Sequence, residues 1–363
     1  MTLEDLGFNA ALEKFRKDNS LEVFEAGRIT AEHKERYIVK TSGGEYEAEI
    51  TGNMRFSARS REDFPAVGDW VALSVFDHDT ALIQRIYPRQ SVIVRTAVGK
   101  TGERQVIAAN IDLAFIMQAA DRDYNINRLE RYLTICYESG VTPVIVLTKT
   151  DLTGEGNVAN IIEGIKQRIS GVQVIPISNI SGSGYDEIRE LVTKGKTCCM
   201  LGSSGVGKSS LMNNLAGRSI MQTGSISEST NKGRHITSHR ELVILENGGM
   251  LIDNPGIREV GIADSDSGLE ITFNQIYDLA KGCKFDDCTH TNETGCRVIE
   301  AVEEGTLDNS SYQNYLKMER EKAHFEETAF EKRKKEKAFG KIMKDYKKLQ
   351  PKEVGSRQGK RKK

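Results

Sequence analysis

Hydrophobic and polar positions change rhythm several times along this chain. Residues 1–20 read as a short helix. From about Glu22 to Arg95 short alternating segments follow one another: Gly27–Thr30, Arg36–Lys40, Tyr46–Ile50, Asp69–Leu73, Ala81–Ile86 and Ser91–Val94, with Gly, Asn and Asp between them. A period of two broken by turn residues predicts strands. Five or six of them in about 75 residues suit a small oligonucleotide-binding (OB-fold) β-barrel, with an SH3-like barrel as the alternative from pattern alone.

From Ile111 the rhythm becomes strand–helix–strand. Ile111–Met117, Val144–Leu147, Val172–Ile177 and Thr197–Leu201 are apolar runs of the kind buried on both faces. Helices are expected at about 126–139, 158–169, 185–194 and 208–216, and that alternation implies a parallel α/β sheet. Arg240–Leu245 then turns through Asn247-Gly248-Gly249 into Met250–Asp253, a hairpin signal that adds one antiparallel strand. After Gly268 the pattern is helical around a cysteine-rich insertion, and Asp308 to about Phe339 reads as a long, highly charged helix. The expected organisation is an N-terminal helical extension (1–20), an OB-fold barrel (21–100), an α/β P-loop domain (101–268), a helical metal-binding domain (269–339) and a tail (340–363).

Composition is ordinary for a globular protein of two or three domains. There is no run of 18 apolar residues for a membrane span, and the start lacks the basic-then-apolar order of a secretory signal, so a cytoplasmic protein is expected. Charge is unevenly placed. Residues 332–363 hold 15 Lys and Arg against three acids, and with −1 for the whole chain the preceding part carries −13. A basic tail on an acidic body suggests a polyanionic partner contacted locally; a merely solvated tail is the plainer alternative.

Two motifs carry the chemistry. Gly202-Ser203-Ser204-Gly205-Val206-Gly207-Lys208-Ser209 follows an apolar strand and precedes the helical run from Ser209 and Ser210, the context of a phosphate-binding loop. Its backbone N–H groups make an anion nest at a helix N-terminus, Lys208 would meet the β- and γ-phosphates, and Ser209 would give its hydroxyl to Mg²⁺. Thr148-Lys149-Thr150-Asp151 is a guanine-reading tetrapeptide. A carboxylate at Asp151 accepts from N1–H and N2–H₂ of guanine but meets an acceptor at N1 of adenine, which supports discrimination on the order of 10⁴. The Lys149 stem can lie over the base, Thr148 replaces the commoner asparagine, and Ser178 in the loop after Val172–Ile177 is the further base contact expected.

Asp253-Asn254-Pro255-Gly256 stands 45 residues after Lys208 at the end of an apolar strand, where Asp253 can hold Mg²⁺ through water and the Gly256 N–H can meet the γ-phosphate. The polar segment 222–238 has no hydrophobic period and reads as a switch loop, with Thr237 preferred over Thr230 and Ser238 as the second Mg²⁺ hydroxyl. Ile257 occupies the place where many GTPases carry a water-orienting glutamine, so slow intrinsic hydrolysis is expected, and His235 is a candidate substitute. The candidate catalytic residues are thus His235, Thr237 and Lys208. In ordinary GTP-binding domains the phosphate loop comes first; here the base-reading motif precedes it, which predicts a circularly permuted GTPase domain using GTP/GDP and Mg²⁺.

Cys283-x4-Cys288-x-His290-x5-Cys296 places three thiols and an imidazole within 14 residues. Soft thiolates with one nitrogen fit a single structural Zn²⁺ with no open position, with disulfides or buried thiols as alternatives. Cys136, Cys198 and Cys199 fall in apolar runs and read as core.

These motifs together resemble the circularly permuted GTPases of small-ribosomal-subunit biogenesis, the RsgA (YjeQ/YloQ) family. The resemblance covers roughly residues 20–320. It rests on Val67-Gly68-Asp69, Asn110-Ile111-Asp112, Leu147–Leu152, the phosphate loop, Gly233–Thr237, Asp253–Gly256 and Cys283…Cys296. Asn254 and Ile236 depart from the threonine or small residue usual there. The resemblance implies a barrel, a GTPase and a zinc domain that dock on the small ribosomal subunit and its rRNA. It also implies GTP hydrolysis stimulated by that subunit as a late maturation checkpoint followed by release, with the histidine matching His235 helping to position water. The expected form is a monomer without membrane association. An RNA-binding, GTP-dependent scaffold with little turnover and a signalling-type GTPase acting on a protein are the competing readings.

Overall fold

The structure, a computed structural model, describes residues 1–33, 36–96, 104–121, 124–217, 240–253 and 265–324. His235, Thr237, Gly256, the whole 222–238 segment and the tail 340–363 lie outside these residues. A 3-10 turn at Glu4–Leu6 and helix α1 (Ala10–Asp18) open the chain. Asn9 starts α1 by accepting from the Ala11 and Leu12 amides, two donors that a helix N-terminus leaves without partners. Leu6, Phe8 and Leu12 then pack on Trp70, Ala72 and Tyr87.

The barrel comprises β1 (Glu25–His33), β2 (Arg36–Thr41), β3 (Glu45–Ile50), a short helix α2 (Gly52–Ser57), β4 (Trp70–Val75) and β5 (Thr80–Ile86). Strands run in the order β1-β2-β3-β5-β4, and β4 pairs back on β1, so the barrel closes with five strands around Ile29, Val39, Val71, Leu73 and Ile83. Only the β3–β5 pair is parallel. Strand β4 completes the barrel by pairing with β1 over Glu25–Arg28, so closure needs no sixth strand. The segment expected at Ser91–Val94 accordingly lies elsewhere: β6 (Val92–Thr96) pairs with β7 (Arg104–Ala109) as a separate ribbon leading out of the barrel.

The central sheet contains β8 (Leu113–Ala119), α3 (Ile126–Glu138), β9 (Thr142–Thr148), α4 (Glu155–Arg168), β10 (Val174–Pro176), α5 (Tyr185–Leu191), β11 (Thr197–Leu201), α6 (Lys208–Ala216), β12 (Arg240–Ile244) and β13 (Met250–Asp253). Its order is β10-β9-β8-β11-β13-β12, parallel except for β12. Both faces are covered, as a parallel sheet requires. On β11, Cys198 and Met200 face a core with Tyr185, Ile188 and Leu211, while Cys199 and Leu201 face one with Leu129, Cys136 and Ile165. The three cysteines read as core are buried, and all six are free thiols.

Barrel and sheet share an edge. Strand β12 pairs antiparallel with β1 through Ala31↔Glu241 and Glu32↔Arg240. Beside this junction the buried Arg28 guanidinium donates to the carbonyls of Leu6, Gly68 and Asn110, at 3.2 Å for Gly68 and 2.9 Å for Asn110. It also reaches the Met250 thioether at 3.4 Å. Burial lowers its pKa to about 10 against the opposing pull of Asp112 and Asp69, so it stays charged and every hydrogen bond is charge-assisted.

The C-terminal part is helical: α7 (Asp266–Thr272), α8 (Asn274–Ala280), α9 (Arg297–Glu303) and a further helix over 309–324. Leu269, Phe273, Ile276, Val298 and Leu316 form its own core. It is seated on α3. The Gly268 amide donates to the Glu138 carboxylate at 3.0 Å. The approach is so close that a Cβ on Gly268 would stand 2.3 Å from the Thr134 carbonyl oxygen. Glu130 is buried on α3 and holds Arg168 at 2.7 Å, with Asn314 and Ser311 donating to the same carboxylate. A buried carboxylate needs this many donors to offset its lost hydration. No helix of the described residues is long and apolar enough to cross a membrane.

Candidate functional site

The phosphate loop joins β11 to α6, and two glycines set its path. Gly202 has φ 149° and Gly207 φ 101°, backbone that side chains rarely adopt. A Cβ would also lie 2.5 Å from the Met117 carbonyl oxygen at Gly202 and 2.4 Å from Asn179 Nδ2 at Gly207. Helix α6 begins at Lys208, so Lys208, Ser209 and Ser210 form its first turn. Ser204 and Gly205 are exposed at the tip, while Val206 is buried and anchors the loop. Lys208 Nζ donates to the carbonyls of Gly202 at 2.8 Å and Ser203 at 2.7 Å, which pins the ammonium across its own loop.

The tetrapeptide Thr148–Asp151, expected to read the base, lies at the end of β9, two strands from β11 in the same sheet. Lys149 turns the chain in the left-handed region, φ 56°, so that Thr150–Leu152 form a 3-10 turn. Thr148 is fully buried and its hydroxyl donates to the Val206 carbonyl at 2.8 Å. That contact ties the base-reading strand directly to the phosphate loop. Ser178 donates to Asp151 Oδ1 at 2.7 Å, leaving the second carboxylate oxygen for another donor. Lys149 Nζ pairs with Asp121 at 3.2 Å.

Asn179 donates to the Gly207 carbonyl at 3.3 Å, and the Tyr185 hydroxyl holds the other end of its amide at 2.8 Å. The loop after β10 therefore bridges both motifs. The sequence signalled Ser178 and its loop, but not Asp121, Tyr185 or the bridging role of Asn179; each is recognisable only once β8, β9 and α5 are side by side. Thr148, Lys149, Asp151, Ser178 and residues 202–210 come together, and β13 brings Asp253 to its end beside β11. His235, Thr237 and Gly256 are outside the described residues.

The order of these parts along the chain, with the base reader on β9 ahead of a phosphate loop after β11, is that of a permuted P-loop domain. A family model described as RsgA GTPase matches residues 86–263. Small ribosomal subunit biogenesis GTPase RsgA 1 of Bacteroides thetaiotaomicron is 43% identical over 323 residues, covering 89% of this chain and 90% of that one. The chain belongs to the RsgA GTPase family. RsgA 2 of Lactiplantibacillus plantarum is 46% identical over 298 residues, 82% of this chain and 83% of that one. The fold is shared with YjeQ from Thermotoga maritima (TM-score 0.60, 24% identity, 81% of this chain and 96% of that one). It is also shared with YloQ, titled a circularly permuted GTPase (TM-score 0.58, 23% identity, 83% and 96%). As an RsgA-family GTPase the chain hydrolyses GTP and uses GTP/GDP with Mg²⁺.

A second centre lies in the helical part. Cys283, Cys288, His290 and Cys296 place their ligand atoms within 4.8 Å of one another. Cys283 and Cys296 Sγ are 3.9 Å apart, and His290 Nδ1 is 3.7 Å from Cys283 Sγ and 3.4 Å from Cys296 Sγ. A tetrahedral ion with Zn–S near 2.3 Å and Zn–N near 2.0 Å needs edges of about 3.8 and about 3.5 Å, so the donor set fits. Burial lowers the His290 pKa and favours the neutral, ligating ring. The Tyr312 hydroxyl donates to the His290 carbonyl and ties this loop to the helix over 309–324.

Proposed function

We propose that this chain binds the small ribosomal subunit through its rRNA and acts late in that subunit's maturation, with GTP hydrolysis stimulated by the subunit and coupled to release. One observation supports this most: the motifs expected to read guanine and to bind phosphate, in permuted order, are tied together by the Thr148–Val206 bond, with a closed five-stranded barrel before them in the chain and a Cys/His cluster after them. Relatives sharing about 40–46% identity carry the name small ribosomal subunit biogenesis GTPase.

In this reading Asp151 and Ser178 select guanine, Lys149 and Thr148 frame the base, and residues 202–207 with Ser210 cradle the phosphates. Lys208 supplies positive charge to the β- and γ-phosphates. Ser209 and Thr237 supply hydroxyls to Mg²⁺, with Asp253 behind it, Gly256 meets the γ-phosphate, and His235 stands in for the missing glutamine at Ile257. One Zn²⁺ held by Cys283, Cys288, His290 and Cys296 gives the loop-rich insertion its shape. The protein works as a cytoplasmic monomer.

Ile257 favours a second reading, a GTP-dependent RNA-binding scaffold with little turnover. GTP hydrolysis measured with and without purified small subunits separates the two. A rise of at least about 10³-fold with subunits is expected, the lower end of what supplied transition-state groups contribute in related enzymes. Nucleotide binding with no turnover in either condition would leave the scaffold; steady turnover indifferent to subunits would indicate a different partner.

A further inference from the structure

A groove of about 370 Å³ runs between α3 and the helix over 309–324. Arg128, Arg131 and Lys317 line it, with Glu321 as the one acid and Met318 as the one apolar side chain. Glu321 is already held by Arg131 through two contacts of 2.6 and 2.7 Å. Lys317 is exposed and forms no ion pair among the described residues. Asn125 and Gln313 add uncharged amide donors to the walls.

This convergence of positive charge is unexpected in a body that carries −13 before its basic tail. An acidic body repels a polyanion except where cations are grouped. A lining of guanidinium, ammonium and amide groups suits a hydrated phosphodiester, since Arg and Lys neutralise phosphate while amides bond phosphate and ribose oxygens.

The groove also touches the nucleotide site. Arg128 Nη1 donates to the Ser203 hydroxyl at 3.3 Å, and the carbonyl of that same Ser203 accepts Lys208 Nζ at 2.7 Å. We propose that the groove binds a phosphate of an RNA backbone and that Arg128 is the positioning residue that transmits its occupancy to the phosphate loop. The proposal deepens the reading above and rests on it for the identity of the RNA. A guanidinium–phosphate bond is charge-assisted and stronger than the long bond to a neutral hydroxyl. An entering phosphate therefore draws Arg128 off Ser203. Freed of that tether, the residue that pins Lys208 can shift and let the ammonium turn to the nucleotide.

The test uses the full chain. GTP hydrolysis is titrated with small subunits at several salt concentrations for wild type, Lys317→Glu, Arg128→Ala and Arg128→Lys. Because Lys317 is exposed, its substitution leaves the core untouched. Lys317→Glu is expected to raise the half-maximal subunit concentration about tenfold and to flatten the log–log salt dependence by about one. Arg128→Ala removes the tether, so it is expected to raise the rate without subunits about tenfold, and Arg128→Lys to raise that rate too while keeping the half-maximal subunit concentration near wild type.

Wild-type behaviour of Lys317→Glu in both quantities overturns the groove. Weakened binding with an unchanged salt slope means a protein occupant and overturns RNA. An Arg128→Ala variant that shifts only the half-maximal concentration overturns the positioning role. The salt slope for a uridine homopolymer, compared between wild type and Lys317→Glu, reads the groove without any subunit. If subunits fail to stimulate wild type, the functional reading falls while this slope still decides the groove.

Discussion

The nucleotide pocket and the cysteine–histidine cluster both prepare for a charged guest, but they are held in opposite ways. The pocket is framed by a sheet buried on both faces, and its walls are bolted to one another: Thr148 to Val206, Asn179 to Gly207, Ser178 to Asp151. The cluster lies in a segment between α8 and α9 whose own backbone bonds are few, such as Lys284 to Gly295 and Cys288 to Phe285. Its four ligand atoms crowd together on a loop held by the Glu293 carboxylate, which accepts from the Thr289, Thr291 and Asn292 amides, and by the Tyr312 hydroxyl. The sheet preorganises the pocket; the cluster's cysteines rest on a helical core, and a bound ion would add the folding energy that their loop lacks.

The sharpest way to break this contrast is to disable the cluster's capacity to hold a metal. Cys288→Ser or a strong chelator should loosen the loop between α8 and α9, because a structural ion contributes about 10–16 kcal/mol in small zinc-binding peptides, while the surrounding helices keep their own core. Hydrogen exchange should rise there while GDP still binds; unchanged exchange with full zinc retention would refute the cluster. Next in size is Asp151→Asn. Exchanging an acceptor for a donor should move preference from guanine to xanthine nucleotides by on the order of 10⁴ in relative affinity, read by competition binding. Unaltered selectivity would detach Asp151 from the base.

A smaller effect tests the bolts themselves. Thr148→Val keeps the shape but leaves the buried Val206 carbonyl without its donor, which should cost about 1–3 kcal/mol of stability by denaturant unfolding. A neutral result would mean that the tie between the two motifs is unimportant. Ser178→Ala should be milder still, weakening GDP binding about tenfold through the loss of one hydrogen bond to a charged acceptor. Equal loss for all nucleotides, rather than guanine ones alone, would show that Ser178 supports the loop and not base choice.

Periodicity located most elements well because the strands and helices are long or strongly patterned. Thr197–Leu201 and the hairpin through Asn247 coincide with β11 and the β12–β13 pair. Misses arose where pairing, not pattern, decided. Ser91–Val94 has the alternation of a barrel strand, yet the barrel closes without it, and its partner β7 was not recognised from sequence. Helix α2 was missed as well: six residues, none buried, carry too little periodic signal to detect. At the site, short motifs of fixed spacing were readable because phosphate and guanine impose that spacing. Asp121 and Tyr185 stand 28 and six residues from the partners they hold, and no local rule predicts such contacts.

By itself the sequence determined the presence and order of the motifs: Thr148–Asp151 ahead of the glycine-rich loop 202–209, then three thiols and an imidazole within 14 residues. Those features depend on local backbone geometry and on donor chemistry, which side-chain identity encodes directly. Only the tertiary structure decided that β12 pairs with β1, that Arg28 joins four separate segments, and that α3 carries a helical domain on Glu130 and Glu138. Strand edges pair through backbone groups common to every residue, and a buried charge takes whichever donors the packing brings to it. Neither choice leaves a mark in the local pattern.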